Sequence, residues 1–180
     1  MKKQRRTLSK KYIKEAFTLL LKEEPFETIS VTAICKKAGV NRGTFYLHYV
    51  DKYDLIDKLK EEVLNELDEI KSYSNDIFEK SFIYRTLHYM YENYDFLSVI
   101  YQSSEVRFSQ TVYDYIHSVI SKTSCFDEIL VKNYDIPLYY AKILYVSGLQ
   151  SLIIAWIENG CQESPEEMSD IVYTTFNPAT

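Results

Sequence analysis

The stretch ETISVTAICKKAGVNRGTFYLHYVDKYDLI, residues 27–56, contains the start and stop signals of two short helices separated by a four-residue turn. Ser30 is a favourable N-cap for the first helix. Gly39 can end that helix in the left-handed conformation, which a β-carbon disfavours. Asn41 is a favourable N-cap for the second helix, which is predicted from Arg42 to about Tyr49. Two short helices joined by so tight a turn predict a helix-turn-helix.

The sequence on either side of this motif also predicts helices. A helix over about residues 9–24 carries one apolar stripe and ends at Pro25, because proline disfavours helix at the residue before it. Further helices are predicted at about 52–71, 76–92, 95–101, 104–122, 136–159 and 165–176. Four glycines and four prolines in 180 residues are too few for the turns of a β-sandwich or barrel. The predicted fold class is therefore all-α.

Charge is distributed unevenly along the chain, whose net charge is −5. Residues 1–50 contain eleven Lys and Arg against four acidic residues, whereas residues 51–180 contain ten basic and twenty-two acidic residues. A basic head on an acidic body is typical of a protein that binds a polyanion with the head alone. Composition by itself leaves a second interpretation open, a solvated charged terminus.

Cysteine usage and hydropathy exclude several other classes of protein. Cys35, Cys125 and Cys161 are odd in number and widely spaced, so neither a disulfide framework nor a zinc site is indicated, and we expect no metal and no cofactor. The most apolar run, residues 143–157, is shorter than the roughly 20 residues that a membrane span needs. We therefore expect a helix buried in protein, a cytoplasmic location and no membrane partner.

Ordered motif elements across the head resemble the tetracycline-repressor-like (TetR) family of bacterial regulators. These elements are Val31-Thr32, Ile34-Cys35, Ala38-Gly39-Val40, Thr44-Phe45-Tyr46, His48-Tyr49, Lys52 and Asp54-Leu55. The segment 148–172 resembles the C-terminal part of one TetR subgroup. The resemblance implies an N-terminal three-helix helix-turn-helix DNA-binding domain at 1–56, followed by a helical effector-binding and dimerisation domain at 57–180.

The function that the resemblance implies is regulation of transcription. We expect a ligand-responsive repressor that binds a palindromic operator in double-stranded DNA as a homodimer and is released by a small-molecule effector. An alternative is a co-regulator that acts through protein–protein interaction without binding an operator of its own. No nucleophile–base pair, metal cluster or phosphate-binding loop is evident in the sequence, so an enzyme is not indicated.

The same resemblance assigns DNA contacts to residues of the head. They are Thr32, Arg42, Gly43, Thr44, Tyr46, His48 and Lys52. An arginine can bind guanine O6 and N7 as a fork, and a helix N-terminus such as that beside Lys52 attracts phosphate. Tyr46 is expected either to contact DNA or to pack in the head, and His48 either to bind phosphate or to lie in the core. Leu47 stands where relatives often have a polar residue, and the basic residues before Thr7 are expected to form a flexible arm.

The helix predicted at 136–159 has two apolar faces, so it needs cover on both sides. A second copy of the chain can cover one face, in a four-helix bundle formed with the last helix. The residues expected at this seam are Leu138, Tyr145, Gly148, Leu149, Leu152, Trp156, Met168, Ile171 and Val172. The alternative is an ordinary central helix of a monomer.

Seventeen tyrosines make the body unusually aromatic. The resemblance implies an effector pocket between the middle helices, and aromatic walls suit a small apolar or cationic ligand. The candidate pocket residues are Tyr84, His88, Tyr113 and His117. An aromatic core without a pocket explains the same composition.

Overall fold

The computed structural model describes residues 2–74, 76–102, 107–124 and 126–176. Within these ranges the chain forms ten α-helices and no β-strand, which confirms the all-α prediction. The helices are α1 (Lys2–Glu23), α2 (Val31–Ala38), α3 (Arg42–Tyr46), α4 (Lys52–Ser72), α5 (Lys80–Glu92), α6 (Tyr94–Gln102), α7 (Phe108–Ser121), α8 (Phe126–Asn133), α9 (Leu138–Glu158) and α10 (Pro165–Phe176).

The chain divides into two compact units within α4, between Glu66 and Leu67. The first unit, the head, contains α1–α3 and the first part of α4. Its core is built from apolar side chains of all four helices and of the α1–α2 connection: Ile13, Phe17, Phe26, Ile29, Ile34, Phe45, Leu55 and Leu59. The predicted domain boundary after residue 56 lies earlier in α4 than this division.

Local signals place the helix ends of the motif where the sequence predicts them. The Ser30 side chain accepts a hydrogen bond from Ala33 N at 3.1 Å. Gly39 has a φ of 66°, the left-handed conformation that a β-carbon disfavours. Asn41 Oδ1 accepts from Thr44 N at 2.7 Å and so caps α3.

Two helix boundaries of the head differ from the prediction. Helix α1 begins at Lys2 rather than near Ser9, so the backbone of the basic segment predicted as a flexible arm is helical. Helix α3 ends at Tyr46, and Leu47 is its C-cap, where the sequence analysis extends the helix to about residue 49.

The second unit contains α5–α10 and the end of α4. Helix α10 packs chiefly against α5, while α7 and α8 pack against α9. An aromatic cluster lies at its centre, in which the ring of Tyr145 meets Phe126 edge-on at 5.1 Å and Phe176 at 5.4 Å. The sequence analysis missed α8, which has only eight residues, too few for a periodic pattern to be recognised.

Helix α9 is long and apolar enough to cross a membrane by length and composition alone. Several of its side chains are buried within the second unit: Ala141, Tyr145, Val146, Ile153, Trp156 and Ile157. This burial agrees with the prediction of a helix that packs in protein.

Candidate nucleic-acid interface

Four residues of α3 and its C-cap share the outward side of the head. Arg42, Gly43, Tyr46 and Leu47 are exposed, and their spacing of one, three and one residues places them on one side of a helix. Phe45 points the opposite way and is fully buried. We call these four residues the α3 face.

The Arg42 guanidinium is held against Tyr46 on the α3 face. Arg42 Nη2 donates to Tyr46 Oη at 3.0 Å, and the guanidinium carbon lies 5.7 Å from the centroid of the tyrosine ring. The hydrogen bond to Tyr46 raises the pKa of Arg42 above its ordinary value. Tyr46 itself is 49% exposed, which favours the contact role over packing in the head. The pair presents an ordered cation with donors left for a ligand.

Gly43 and Thr44 take part in the cap of α3. The Thr44 hydroxyl donates to Asn41 Oδ1 at 3.1 Å, beside the bond from Thr44 N. A β-carbon at Gly43 would lie 3.2 Å from the same oxygen, which is tighter than an ordinary contact. The absence of a side chain at Gly43 therefore protects the cap, a local role that the sequence analysis did not assign.

His48 is tied to α1. Its Nε2 and the Oγ of Ser9 share a hydrogen bond of 2.8 Å, and Ser9 is buried. Lys58 Nζ donates to the backbone carbonyl of His48 at 3.1 Å. His48 is only partly buried, so a phosphate contact by this residue stays a prediction, as it does for Thr32, which is exposed in the first turn of α2.

Lys52 is directed toward the α1–α2 connection. Its Nζ donates to the carbonyl oxygens of Phe26 and Glu27, both at 2.8 Å. This placement differs from the sequence-based expectation, in which the Lys52 ammonium adds charge on the DNA side.

The seam residues predicted on α9 and α10 are only partly available to a second chain. Tyr145, Trp156, Met168 and Val172 are between 2% and 6% exposed within their own unit. Trp156 Nε1 donates to the carbonyl of Glu163 at 3.1 Å, which fixes it further. These four side chains support the fold of their own unit and leave little surface for a partner, so a seam at these residues stays a prediction.

Gly148 has a comparable internal role. A β-carbon there would lie 3.0 Å from Cε1 of Phe176, so the glycine makes room for α10 of the same chain. Leu138, Leu149 and Leu152 are partly exposed and Ile171 is 40% exposed. The strongly exposed apolar residues of α9 lie elsewhere on the helix, and we call them the α9 patch: Tyr139, Tyr140, Ile143 and Leu144, which are 69%, 58%, 39% and 56% exposed.

The four candidate pocket residues form two separate stacks. Tyr84 and His88 stack along α5 with ring centroids 5.6 Å apart, and Tyr113 and His117 stack along α7 at 6.2 Å. Tyr84, His88 and His117 are exposed. A pocket at these residues stays a prediction, and the geometry gives it no support.

Two hydroxyl groups that the sequence analysis did not single out are buried in the second unit. Thr86 Oγ1 on α5 and Tyr115 Oη on α7 have no hydrogen-bond partner within the described part of the chain. Burial, and to a lesser extent the negative charge of Asp68, raises the pKa of Tyr115. No sequence signal distinguishes these hydroxyls from the many others in the body. Among the described residues, no group of three or more His, Cys, Asp and Glu side chains could hold a metal ion.

Comparisons with known proteins cover both units. Residues 15–59 match the family described as "Bacterial regulatory proteins, tetR family", and residues 78–178 match the family described as "Transcriptional regulator C-terminal region". The uncharacterized HTH-type transcriptional regulator YxbF of Bacillus subtilis (strain 168) is 26% identical over a 172-residue alignment that covers 89% of this chain and 43% of that protein. The chain thus spans less than half the length of this curated relative.

Solved structures share the fold. The fatty acid degradation regulator FadR from Bacillus halodurans superposes with a TM-score of 0.66 and 18% identity over 93% of this chain and 94% of that chain. A TetR transcriptional regulator from Streptococcus agalactiae 2603V gives 0.62 and 22% over 97% of each chain. FadR from Bacillus subtilis, in complex with stearoyl-CoA, gives 0.58 and 17% over 94% and 98%.

The second family match alone covers more than half of the chain, and the first lies on the helix-turn-helix whose caps and turn are described above. The chain belongs to the TetR family of transcriptional regulators, and its head is the DNA-binding domain.

Proposed function

We propose that the chain is a ligand-responsive repressor, which binds a palindromic operator as a homodimer and releases it when a small-molecule effector binds. The observation that carries the proposal is the α3 face, where an exposed guanidinium is ordered by Tyr46 at 3.0 Å. A short helix that presents such a group beyond the surface can enter a major groove about 12 Å wide.

On this proposal, Arg42 reads a base and the surrounding groups position the head. A guanidinium can donate two parallel hydrogen bonds to guanine O6 and N7. Because Tyr46 already restricts the Arg42 side chain, less side-chain entropy would be lost when it binds the base. The exposed Thr32 hydroxyl and the N-terminus of α2 suit phosphate contacts. Each half-site would then hold one base-reading arginine within a larger set of phosphate contacts.

A second copy of the chain is the proposed cover for the α9 patch. Four neighbouring apolar side chains, two of them tyrosines, are exposed there at 39% or more. Contiguous exposed apolar surface is typical of an interaction site. A two-fold axis through the patch would bring the same residues together from both copies and place two heads on one operator.

The effector is proposed to bind in the second unit. The protein is proposed to act in the cytoplasm. One solved relative of the same fold is described as a complex with stearoyl-CoA. Thr86 Oγ1 and Tyr115 Oη are buried hydroxyls with no hydrogen-bond partner among the described residues, and a ligand could satisfy them. The ligand would lower operator affinity only as far as it binds the released state more tightly than the DNA-bound state.

A co-regulator that binds another protein is the second candidate function. The observation that favours it is the apolar character of the surface next to Arg42, where Leu47 is 63% and Val50 is 74% exposed. Operator binding predicts that these residues face base edges, whereas a co-regulator would bury them in a protein.

Fluorescence anisotropy with duplex DNA from upstream of the chain's own gene tests operator binding. We expect saturable binding that an unrelated duplex competes for poorly, and a thermal-shift screen that includes stearoyl-CoA supplies candidate effectors. Equal affinity for both duplexes would contradict an operator at that site. No binding to any duplex at low salt would favour the co-regulator.

A further inference from the structure

The ammonium group of Lys52 lies in a cage of two carbonyl oxygens and two aromatic rings. Its Nζ donates to Phe26 O and Glu27 O at 2.8 Å each, and it lies 4.7 Å from the centroid of the Phe26 ring. The Tyr53 ring centroid is 5.6 Å away on another side. Two of the three donors of the ammonium are therefore used on backbone carbonyls. We propose that Lys52 is a positioning residue, which clamps the start of α4 to the α1–α2 connection and does not neutralise a DNA phosphate.

The clamp acts on the segment that sets the entry of α2. Within that segment, Thr28 N donates to Pro25 O at 3.1 Å and Ile29 N donates to Phe26 O at 3.2 Å, so the Phe26 carbonyl accepts from two donors. The Phe26 side chain is buried and meets Phe17 of α1 edge-on at 6.1 Å. Lys52 thus joins α4 to a turn that is itself anchored on α1, and α2 begins directly after this turn.

A phosphate contact would require the ammonium to leave this cage. Hydrogen bonds from a charged donor are stronger than those from a neutral donor. If the ammonium left, the two carbonyl oxygens would lose the hydrogen bonds that offset the cost of removing them from water. Tyr53 also packs against Phe26, at 5.1 Å, and closes another side of the cage. The charge of Lys52 is therefore used inside the head. Its importance for function rests on the proposed operator binding, since the clamp positions the helices that would bind the operator.

The geometry also distinguishes lysine from arginine at this position. Two carbonyl oxygens converge on one nitrogen at 2.8 Å, which a compact ammonium satisfies. A planar guanidinium is larger and spreads its donors over a fork, so it cannot occupy the same point. Arginine would serve as well as lysine, or better, if the partner were a phosphate.

The test compares Lys52→Met, Lys52→Arg and a matched control, Lys60→Met, in the full chain. Lys60 lies on the same helix and pairs with the Asp57 carboxylate, so the control removes an equal charge without touching the cage. One measurement is the thermal midpoint of unfolding without DNA. The other is the slope of log affinity against log salt concentration for a mixed-sequence duplex, which changes by about 0.9 for each phosphate that the protein no longer neutralises.

We expect both Lys52 variants to lower the thermal midpoint by about 2–4 °C and to weaken DNA binding, with a salt slope equal to that of Lys60→Met. A slope shallower by about 0.9 in Lys52→Met, together with wild-type behaviour of Lys52→Arg, would overturn the proposal in favour of a phosphate contact. Thermal midpoints equal to wild type in both variants would also overturn it. If the wild-type chain itself shows no salt-dependent binding, the proposed operator binding fails, while the thermal midpoints still decide whether the clamp exists.

Discussion

The α3 face and the α9 patch are both exposed, yet they differ in chemistry. On the α3 face, the charged group is Arg42, and a hydrogen bond to Tyr46 orders it. The α9 patch consists of two tyrosines and two aliphatic residues, of which Leu144 is 56% exposed. A surface of the first kind binds a polyanion, and its affinity falls as the salt concentration rises. A surface of the second kind binds by burying apolar area, and its affinity depends little on salt screening. The two proposed binding surfaces of the chain should therefore differ in how their affinity depends on salt.

The largest expected effect comes from placing a charge in the α9 patch. Leu144→Glu should convert the proposed dimer to monomers, because two copies would meet across a two-fold axis and each would lose the burial of a leucine side chain, worth about 1.5–3 kcal/mol. The dissociation constant should rise by about 10²–10⁴, which light scattering over a dilution series measures. DNA affinity should fall too, since two linked heads bind better than one.

Tyr73→Glu is the control for this change. Tyr73 lies at the chain position after α4 and is 71% exposed, so the variant adds the same charge to an exposed aromatic site outside the patch. It should remain dimeric. Ile171→Glu, on α10, tests the alternative interface, because Ile171 belongs to the seam that the sequence predicts and not to the α9 patch. If Ile171→Glu is monomeric while Leu144→Glu stays dimeric, the dimer interface lies on α10 and not at the α9 patch.

Removing the guanidinium from the α3 face should have the next largest effect. Arg42→Ala should relax base preference at one position in each half-site, at about 1–3 kcal/mol, because the two proposed hydrogen bonds to guanine would be removed. Binding selection from a random duplex library measures the preference. Tyr46→Phe keeps the ring but removes the hydroxyl that orders Arg42. The loss of base preference in Tyr46→Phe should therefore be smaller than that in Arg42→Ala. An unchanged sequence preference in Arg42→Ala would mean that this arginine contacts only the backbone.

The sequence predicted the head better than the body, and the reason is the range of the interactions. Ser30, Gly39 and Asn41 act on neighbours within four residues, so their caps are visible in the sequence. The two faces of α9 are both apolar, and which of them is covered depends on how other helices, α7, α8 and α10, pack against it, which no local pattern within α9 specifies. The seam was therefore assigned to buried residues such as Trp156.

The same limit applies to single side chains of the candidate interface. Lys52 bonds to carbonyls 26 and 25 residues earlier, and His48 shares its hydrogen bond with a residue 39 positions earlier. No local pattern encodes such partners. The family resemblance supplied the positions of these residues but not the direction in which their side chains point.

A smaller effect is expected at Leu47, whose apolar side chain on the α3 face suits the thymine methyl group. If Leu47 lies against that methyl, replacing thymine by uracil at one position should weaken wild-type binding by about 0.8 kcal/mol, the value of one buried methylene-sized group. The same replacement should not affect Leu47→Ala. Competition between the two duplexes measures the difference. A uracil effect of equal size in both proteins would show that another residue contacts the methyl group.

The smallest expected effect concerns the pH dependence of the head. Hydrogen bonds from Lys58 Nζ at 2.8 Å and Val50 N at 2.7 Å lower the pKa of Asp54 below its ordinary value. A lowered pKa in the folded state means that Asp54 stabilises the fold above the ordinary carboxyl pKa, and that this stability is lost as the pH falls through the lowered value. Asp54→Asn should therefore melt about 1–2 °C below wild type at pH 7, as expected for an exposed ion pair, and the difference should disappear in acid. Circular dichroism melts from pH 7 down to pH 2 measure it. A difference that stays constant over the whole range would show that the carboxylate charge of Asp54 contributes nothing and that only the shape of its side chain matters.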